Sequence, residues 1–317
     1  MAWQQVTQAA ALRKGIMNHL RITGEELARL CGVSQGTVDR ALNDRPGISS
    51  DTKEKILETA RKYGWRPAAG NRKDKDHRPT IGIVVFDLNN EFFSKLITDV
   101  EGIARGKGYL TMVLFTHYDP AAEIECLRQL YASGVDGIIL CSVNHGEVFD
   151  RFLKELGIPV IAIGNRTGNI PYVGIDDFQA MKEAAEYLLQ TYETIVYYSP
   201  ALCYANAFAQ KRRFEGFMSA IGERSCYSVV TSPEKLADSY PENTAVLCST
   251  DYYAMQVYAR CPKVKVMGFD NLKLLDRLHL PIDSVNYDTA MIAKEAFALL
   301  ESEEHRDVVI PHSIVCR

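Results

Sequence analysis

No apolar run in this chain of 317 residues approaches the roughly 18 needed to span a bilayer, so no membrane anchor is expected. Met1 to Leu20 lacks an unbroken apolar core and a small-residue cleavage site, which argues against a secretion signal. Eight cysteines occur (Cys31, Cys126, Cys141, Cys203, Cys226, Cys248, Cys261, Cys316), none in a C-x-x-C pair and most in apolar runs. That pattern suits a reducing cytoplasm and argues against a disulfide framework or a zinc site. The seven histidines show no H-E-x-x-H spacing, and neither a G-x-S-x-G elbow nor a Walker loop is present. Gly102, Gly106 and Gly108 fall at the end of a helical pattern, not after a strand, so no dinucleotide fingerprint is formed. Neither an enzyme, a metal nor a cofactor is expected; a turnover assay separates the enzyme alternative.

Charge is unevenly distributed. Residues 1–78 carry 15 Lys/Arg against 9 Asp/Glu, a net of +6, whereas residues 79–317 carry 21 against 31, a net of −10. A basic head on an acidic body suits a polyanion-binding head, because Lys and Arg displace counterions from phosphates.

Two textures follow one another along the chain. Residues 23–65 are helical in pattern throughout. Thr23-Gly-Glu-Glu26 forms a capping box; Leu27, Ala28, Leu30 and Cys31 supply an apolar face, and Gly32 stops the helix. Ser34 can cap a second helix, Gln35 to Leu42, and Ser49 or Ser50 a third that runs to Tyr63. From Thr80 onward, near-continuous apolar runs alternate with amphipathic helices: residues 81–86, 110–115, 137–140 and 159–163, and after a helix at 178–189, residues 194–198, 228–230, 245–248 and 264–267. Strands buried on both faces read this way, and the rhythm predicts parallel βαβ units in two similar halves with a ligand cleft between them.

Two short helices around the Cys31-Gly-Val33 turn are the spacing of a helix-turn-helix, although the same spacing also occurs as plain packing. In such a motif the second helix lies in the major groove with its first side chains at base edges. Here those are Gln35, Thr37 and Arg40; Gln can pair with adenine and Arg with guanine.

Residues 26–34, residues 36–43 (Gly36-Thr-Val-Asp-Arg-Ala-Leu-Asn43) and Lys62-Tyr-Gly-Trp-Arg-Pro67 resemble the head of the LacI/GalR family of bacterial transcription regulators. The resemblance covers essentially residues 23–317. It implies an all-α helix-turn-helix head followed by an α/β, two-subdomain, periplasmic-binding-protein-like core, and a repressor of double-stranded operator DNA. It places Thr23, Ser34, Gln35, Thr37, Arg40 and Asn43 at the DNA. Gly36 occupies a position from which the family reads bases; it has no side chain to read with, so Gln35, Thr37 and Arg40 carry more of the choice. The family's minor-groove leucine wedge falls at Asp74, whose carboxylate phosphates repel, so either the hinge works differently or the DNA is bent less.

The resemblance also points to the effector site. Asn89-Asn-Glu-Phe-Phe93 is similar to the Asn-Pro-Phe-Phe loop of sugar-binding relatives, which implies Asn90, Phe92 and Phe93; one of the two rings is expected in the core instead. Arg212-Arg-Phe-Glu-Gly-Phe217 is similar to the family's Arg-x-x-Gly-Phe and implies Arg213. Gly268-Phe-Asp270 is similar to a Gly-Phe-Asp turn and implies Asp270, and the positions of a usual Asn and Gln are held by Thr250 and Tyr287. An acidic position after Ile163 is Gly164. A small polar, sugar-like effector is the favoured class, with a carboxylate facing a guanidinium across the closed site.

The expected organisation is an extension over 1–22 with no assigned role, a head over 23–66, a linker over 67–79 and a core over 80–317. Within the core, subdomain 1 comprises about 80–175 plus 288–303, and subdomain 2 about 176–287 plus 304–317, with a final strand from Val308 to Val315. No heptad tail follows Arg317, so a homodimer is the simplest assembly. The alternative reading is a small-molecule binding protein without DNA regulation; the basic head argues against it.

Overall fold

Gly24–Cys31 (α1) begins with Glu25 and Glu26, whose charges favour a helix N-terminus, and buries Leu27, Ala28 and Cys31 on one face. It ends in a Schellman turn: Gly32 takes φ +70°, its N–H reaches Arg29 O at 3.2 Å, and Val33 N reaches Ala28 O at 2.9 Å. Ser34 then caps Gln35–Leu42 (α2), its hydroxyl accepting from Thr37 N at 3.2 Å. Ser49 does the same for Ser50–Lys62 (α3), accepting from Thr52 N at 3.2 Å. Val38, Ala41, Ile56 and Ala60 join the buried face of α1 in a small core of their own. The computed structural model describes residues 24–42, 45–62, 78–200, 206–302 and 304–317. The extension over 1–22, Asp74 and most of the 67–79 linker lie outside the described residues.

The first sheet collects Thr80–Val85 (β1), Leu110–Phe115 (β2), Gly137–Leu140 (β3), Val160–Ile163 (β4) and Tyr172–Ile175 (β5), every pairing parallel. Glu91–Gly106 (α4), Pro120–Ser133 (α5) and Glu147–Leu156 (α6) provide the crossovers. Strands β1 and β3 are buried on both faces, which explains their unbroken apolar sequences. At Asp176 the chain passes into a second sheet. It holds Thr194–Tyr198 (β6), Tyr227–Val230 (β7), Thr244–Cys248 (β8), Lys265–Phe269 (β9) and Ile282–Tyr287 (β10). Its helices are Asp177–Leu188 (α7), Phe208–Ile221 (α8), Asp251–Arg260 (α9) and the short Lys273–Arg277 (α10). Thr289–Ser302 (α11) returns to pack on α4 and the first sheet.

One expectation is corrected here. The segment 304–317 does not belong wholly to the second half, and Val308 to Val315 is not one strand. Pro311 has no N–H to continue a ladder, and the strand divides there. Val308–Ile310 (β11) pairs in parallel with β5 in the first sheet, whereas His312–Val315 (β12) pairs antiparallel with β10 in the second. The first sheet therefore runs β11-β5-β4-β3-β1-β2 and the second β12-β10-β9-β8-β6-β7.

Candidate functional site in the cleft and on the head

Two sheets whose strands end toward one another leave a cavity of about 420 Å³ between them, at the carboxyl ends where open α/β sheets hold ligands. The loop after β1 enters it first. Asn90 caps α4, its Oδ1 accepting from Phe92 N at 3.0 Å, and its side chain also hydrogen-bonds Asp270. Phe92 is half-buried and lines the cavity. Phe93 touches the cavity but is 7% exposed and packs edge-on against Phe86, so it is the one that belongs chiefly to the core.

From the second half comes Arg213, in the second turn of α8. Its Nε donates to Asp177 Oδ1 at 2.7 Å and its Nη1 to Ser249 O at 2.6 Å. Nη2 lies 3.7 Å from Asp270 Oδ1, and the guanidinium carbon stands 3.6 Å from the centre of the Phe269 ring. The expectation that Asp270 faces Arg213 across the ligand space is thereby corrected. Both groups come from the second half and are already paired with each other, Arg213 lying over the ring of Phe269, the residue before Asp270. Tyr287 donates its hydroxyl to Asp270 Oδ1 at 2.8 Å. Thr250 caps α9 by accepting from Tyr253 N at 3.4 Å. The cavity wall thus brings together Asn90, Phe92, Phe93, Arg213, Thr250, Asp270 and Tyr287.

Glycines permit these approaches. A Cβ on Gly268 would lie 2.1 Å from Asp251 Oδ1 and 3.0 Å from Asp251 Cα. Asp251 is buried there, accepting from Leu272 N at 2.7 Å and from the Ser284 hydroxyl at 2.7 Å. These bonds fix the turn after β9, where Asp270 takes φ +104° and Asn271 φ +47°. A non-glycine residue holds such a conformation only when its surroundings over-determine it.

Burial sets the electrostatics. It pushes the Asp270 carboxyl up to about 6, against the opposing pull of Arg213 and the Tyr287 hydrogen bond. Asp177 is raised for the same first reason, although Arg213 counteracts it. Asp251 is pushed up to about 8 by burial and by the neighbouring Asp270 charge. Arg213 is itself buried, yet Asp177 and Asp270 hold it more firmly charged than usual.

Sequence reasoning missed Asp177, Tyr172 and Asn165, which all line the cavity. Asp176 accepts from Gln179 N and so uses up the capping role of the Asp176-Asp177 pair, freeing Asp177 to turn inward. A doubled Asp before a helix is the only signal it left. Gly164 takes φ +75° and leaves the polar function after β4 to Asn165, which is 6% exposed. Among the described residues, no group of three or more His, Cys, Asp or Glu could hold a metal.

On the head, Gln35 and Arg40 are exposed and Thr37 is half-buried. The Ser34 and Thr37 hydroxyls are 2.8 Å apart, so both are occupied with capping α2. A Cβ on Gly36 would lie 4.0 Å from Arg40 Nη1, so the guanidinium lies along the bare backbone one turn earlier. Thr23 and Asn43 lie outside the described residues.

Comparison with known proteins bears on both sites. Residues 25–68 match the family model for bacterial regulatory proteins, lacI family, and residues 78–230 match that for periplasmic binding proteins and sugar binding domain of LacI family. Catabolite control protein A of Priestia megaterium is 27% identical, with 94% of this chain and 99% of that protein covered. The HTH-type transcriptional repressor PurR of Vibrio cholerae serotype O1 (strain M66-2) is 26% identical, with 88% and 90% covered. The structure of the Cra transcriptional dual regulator from Pseudomonas putida, in complex with fructose 1-phosphate, superposes with a TM-score of 0.67 at 20% identity. It covers 76% of this chain and 99% of its own and has the same fold. With a helix-turn-helix head, a two-sheet binding core and matches to both family models, this chain belongs to the LacI family of DNA-binding transcription regulators.

Proposed function

We propose that this regulator acts as a homodimeric repressor whose operator affinity is set by a neutral, polyhydroxylated, sugar-like effector held in the cleft. The state of Arg213 carries the effector class. It is the only Lys or Arg among the described residues lining the cavity, and Asp177 and Asp270 already neutralise it. A phosphate group would therefore meet carboxylates without a free cation, and its desolvation would go uncompensated. Phe92, Tyr118 and Tyr252 line the cavity with rings suited to the apolar side of a sugar, while Asp177 and Asp270 offer acceptors to its hydroxyls. No described helix is long and apolar enough to cross a membrane; a repressor acting at an operator would work in the cytoplasm.

A thermal-shift panel of neutral sugars beside their phosphorylated forms tests the effector class. A true effector at 100 times its Kd adds roughly 2.7 kcal/mol to core stability. Stabilisation by phosphorylated sugars alone would contradict the reading. On the head, Arg40 is assigned to base edges and the surrounding Lys and Arg to phosphates. Arg40→Ala should cost about 1–3 kcal/mol on duplexes selected from a random pool and little on non-specific DNA. Equal losses on both would reduce Arg40 to a phosphate contact.

A further inference from the structure

Two further sets of contacts bridge the two halves of the core. Glu91, the first residue of α4 in the first half, reaches the α10 segment of the second. Its Oε2 accepts from Leu274 N at 3.1 Å, and its Oε1 lies 3.9 Å from Arg277 Nη1. The second set joins the segment entering α8 to the loops after β3 and β4. Asn206 N donates to Val143 O at 3.0 Å, and Asn206 Nδ2 to Asn144 O at 3.1 Å and Arg166 O at 3.0 Å. Asn165 answers from the first half, donating to Asn206 O at 2.9 Å and accepting from Ala209 N at 3.1 Å. Asn206 N and Ala209 N are thus held by acceptors of the opposite half, so parting of the halves would open them to exchange.

We infer that Glu91 is a clasp that biases the core toward its closed arrangement before any effector enters. The physical basis is that a carboxylate accepting a backbone N–H beside an arginine makes a stronger bond than a neutral pair. It joins two bodies whose sheets share no ladder, since each sheet pairs only its own strands. Any ligand that prefers the closed core gains apparent affinity in proportion to the closed fraction, so the clasp also tunes effector affinity. The inference stands independently of the effector's chemical class.

Hydrogen exchange by mass spectrometry on the full chain without added effector tests it. In Glu91→Ala, exchange at the Leu274 amide should rise about tenfold, and exchange at Asn206 and Ala209, which Glu91 does not touch, should rise with it. Glu91→Gln, which keeps an acceptor for Leu274 but loses the charge, should fall between. Amides of the buried strands β3 and β8 should be unchanged, which controls for global unfolding. If Leu274 alone is deprotected, Glu91 is a local fastening of one turn and the clasp is refuted. No change at any of the three sites refutes it equally.

Discussion

Arg213 touches two carboxylates, a carbonyl and a ring, and its side chain is 10% exposed. Removing one member of such a cluster leaves the others buried and uncompensated, at a cost of about 3–5 kcal/mol. Arg213→Ala should thus lower stability as well as effector affinity, and so it is a poor probe of the cleft by itself. Asp270 is the better one. Its carboxyl is pushed up to about 6 from an ordinary 3.8, chiefly by burial. The folded state holds that proton more tightly than the unfolded chain does. The contribution to stability is full below about 4 and is lost as pH rises through about 6. Asp251, raised to about 8, extends the same sign to higher pH. Effector binding should run the other way, because an ionised Asp270 accepts hydroxyl donors and a protonated one loses capacity. Calorimetric titration between pH 5 and 8 should show wild-type affinity falling below about 6, and Asp270→Asn should abolish that fall. A pH-independent wild type would remove Asp270 from the ligand contact.

Helix packing places that cluster. A Cβ on Gly216 would stand 2.1 Å from Phe178 O and 3.1 Å from Lys182 N, both backbone atoms of α7. Backbone cannot rotate away as a side chain can. Residues three apart share a helix face, so the bare position at Gly216 is what lets Arg213, one turn earlier, reach Asp177 on α7. Gly216→Ala should force α7 and α8 apart and cost about 1–3 kcal/mol in denaturant unfolding, with effector affinity reduced in parallel. Gly36 makes the contrast: nothing comes nearer than 3.9 Å to its Cβ site, and Gly36→Ala should leave stability unchanged or slightly improved. Stability equal to wild type in Gly216→Ala would show that the helix pair yields freely.

The molecule is built from separate cores. Leu27, Val38, Ile56 and their neighbours form one buried cluster, separate from those of the binding core, one of which draws residues from both halves. A cavity made in the head should therefore stay in the head. Leu27→Ala, at a fully buried position, should cost about 2–5 kcal/mol of head stability and abolish operator binding. Effector binding and the unfolding transition of the core should remain as in wild type. A matching loss of effector affinity would show that the two cores fold as one unit.

Much of the fold was legible because its signals are local. The glutamates of α1, the glycine that ends it, the serines that cap α2 and α3, and the apolar runs of β1, β3 and β8 act over a few residues. They act through hydrogen bonds and burial that any packing of the chain would respect. The strand β10 was harder to read, since Asp283, Ser284 and Asn286 interrupt its apolar pattern and find their partners elsewhere in the chain. Sequence motifs also marked Asn90, Arg213 and Asp270 as residues of one site. What they could not say is that Arg213 is spent on Asp177, that Pro311 sends β11 and β12 to different sheets, or that Glu91 meets Leu274. The last two residues are 183 positions apart. Contacts of that reach exist only once two sheets have packed and their loops have been brought face to face. Tertiary structure alone therefore decided which charges in the cleft are already paired.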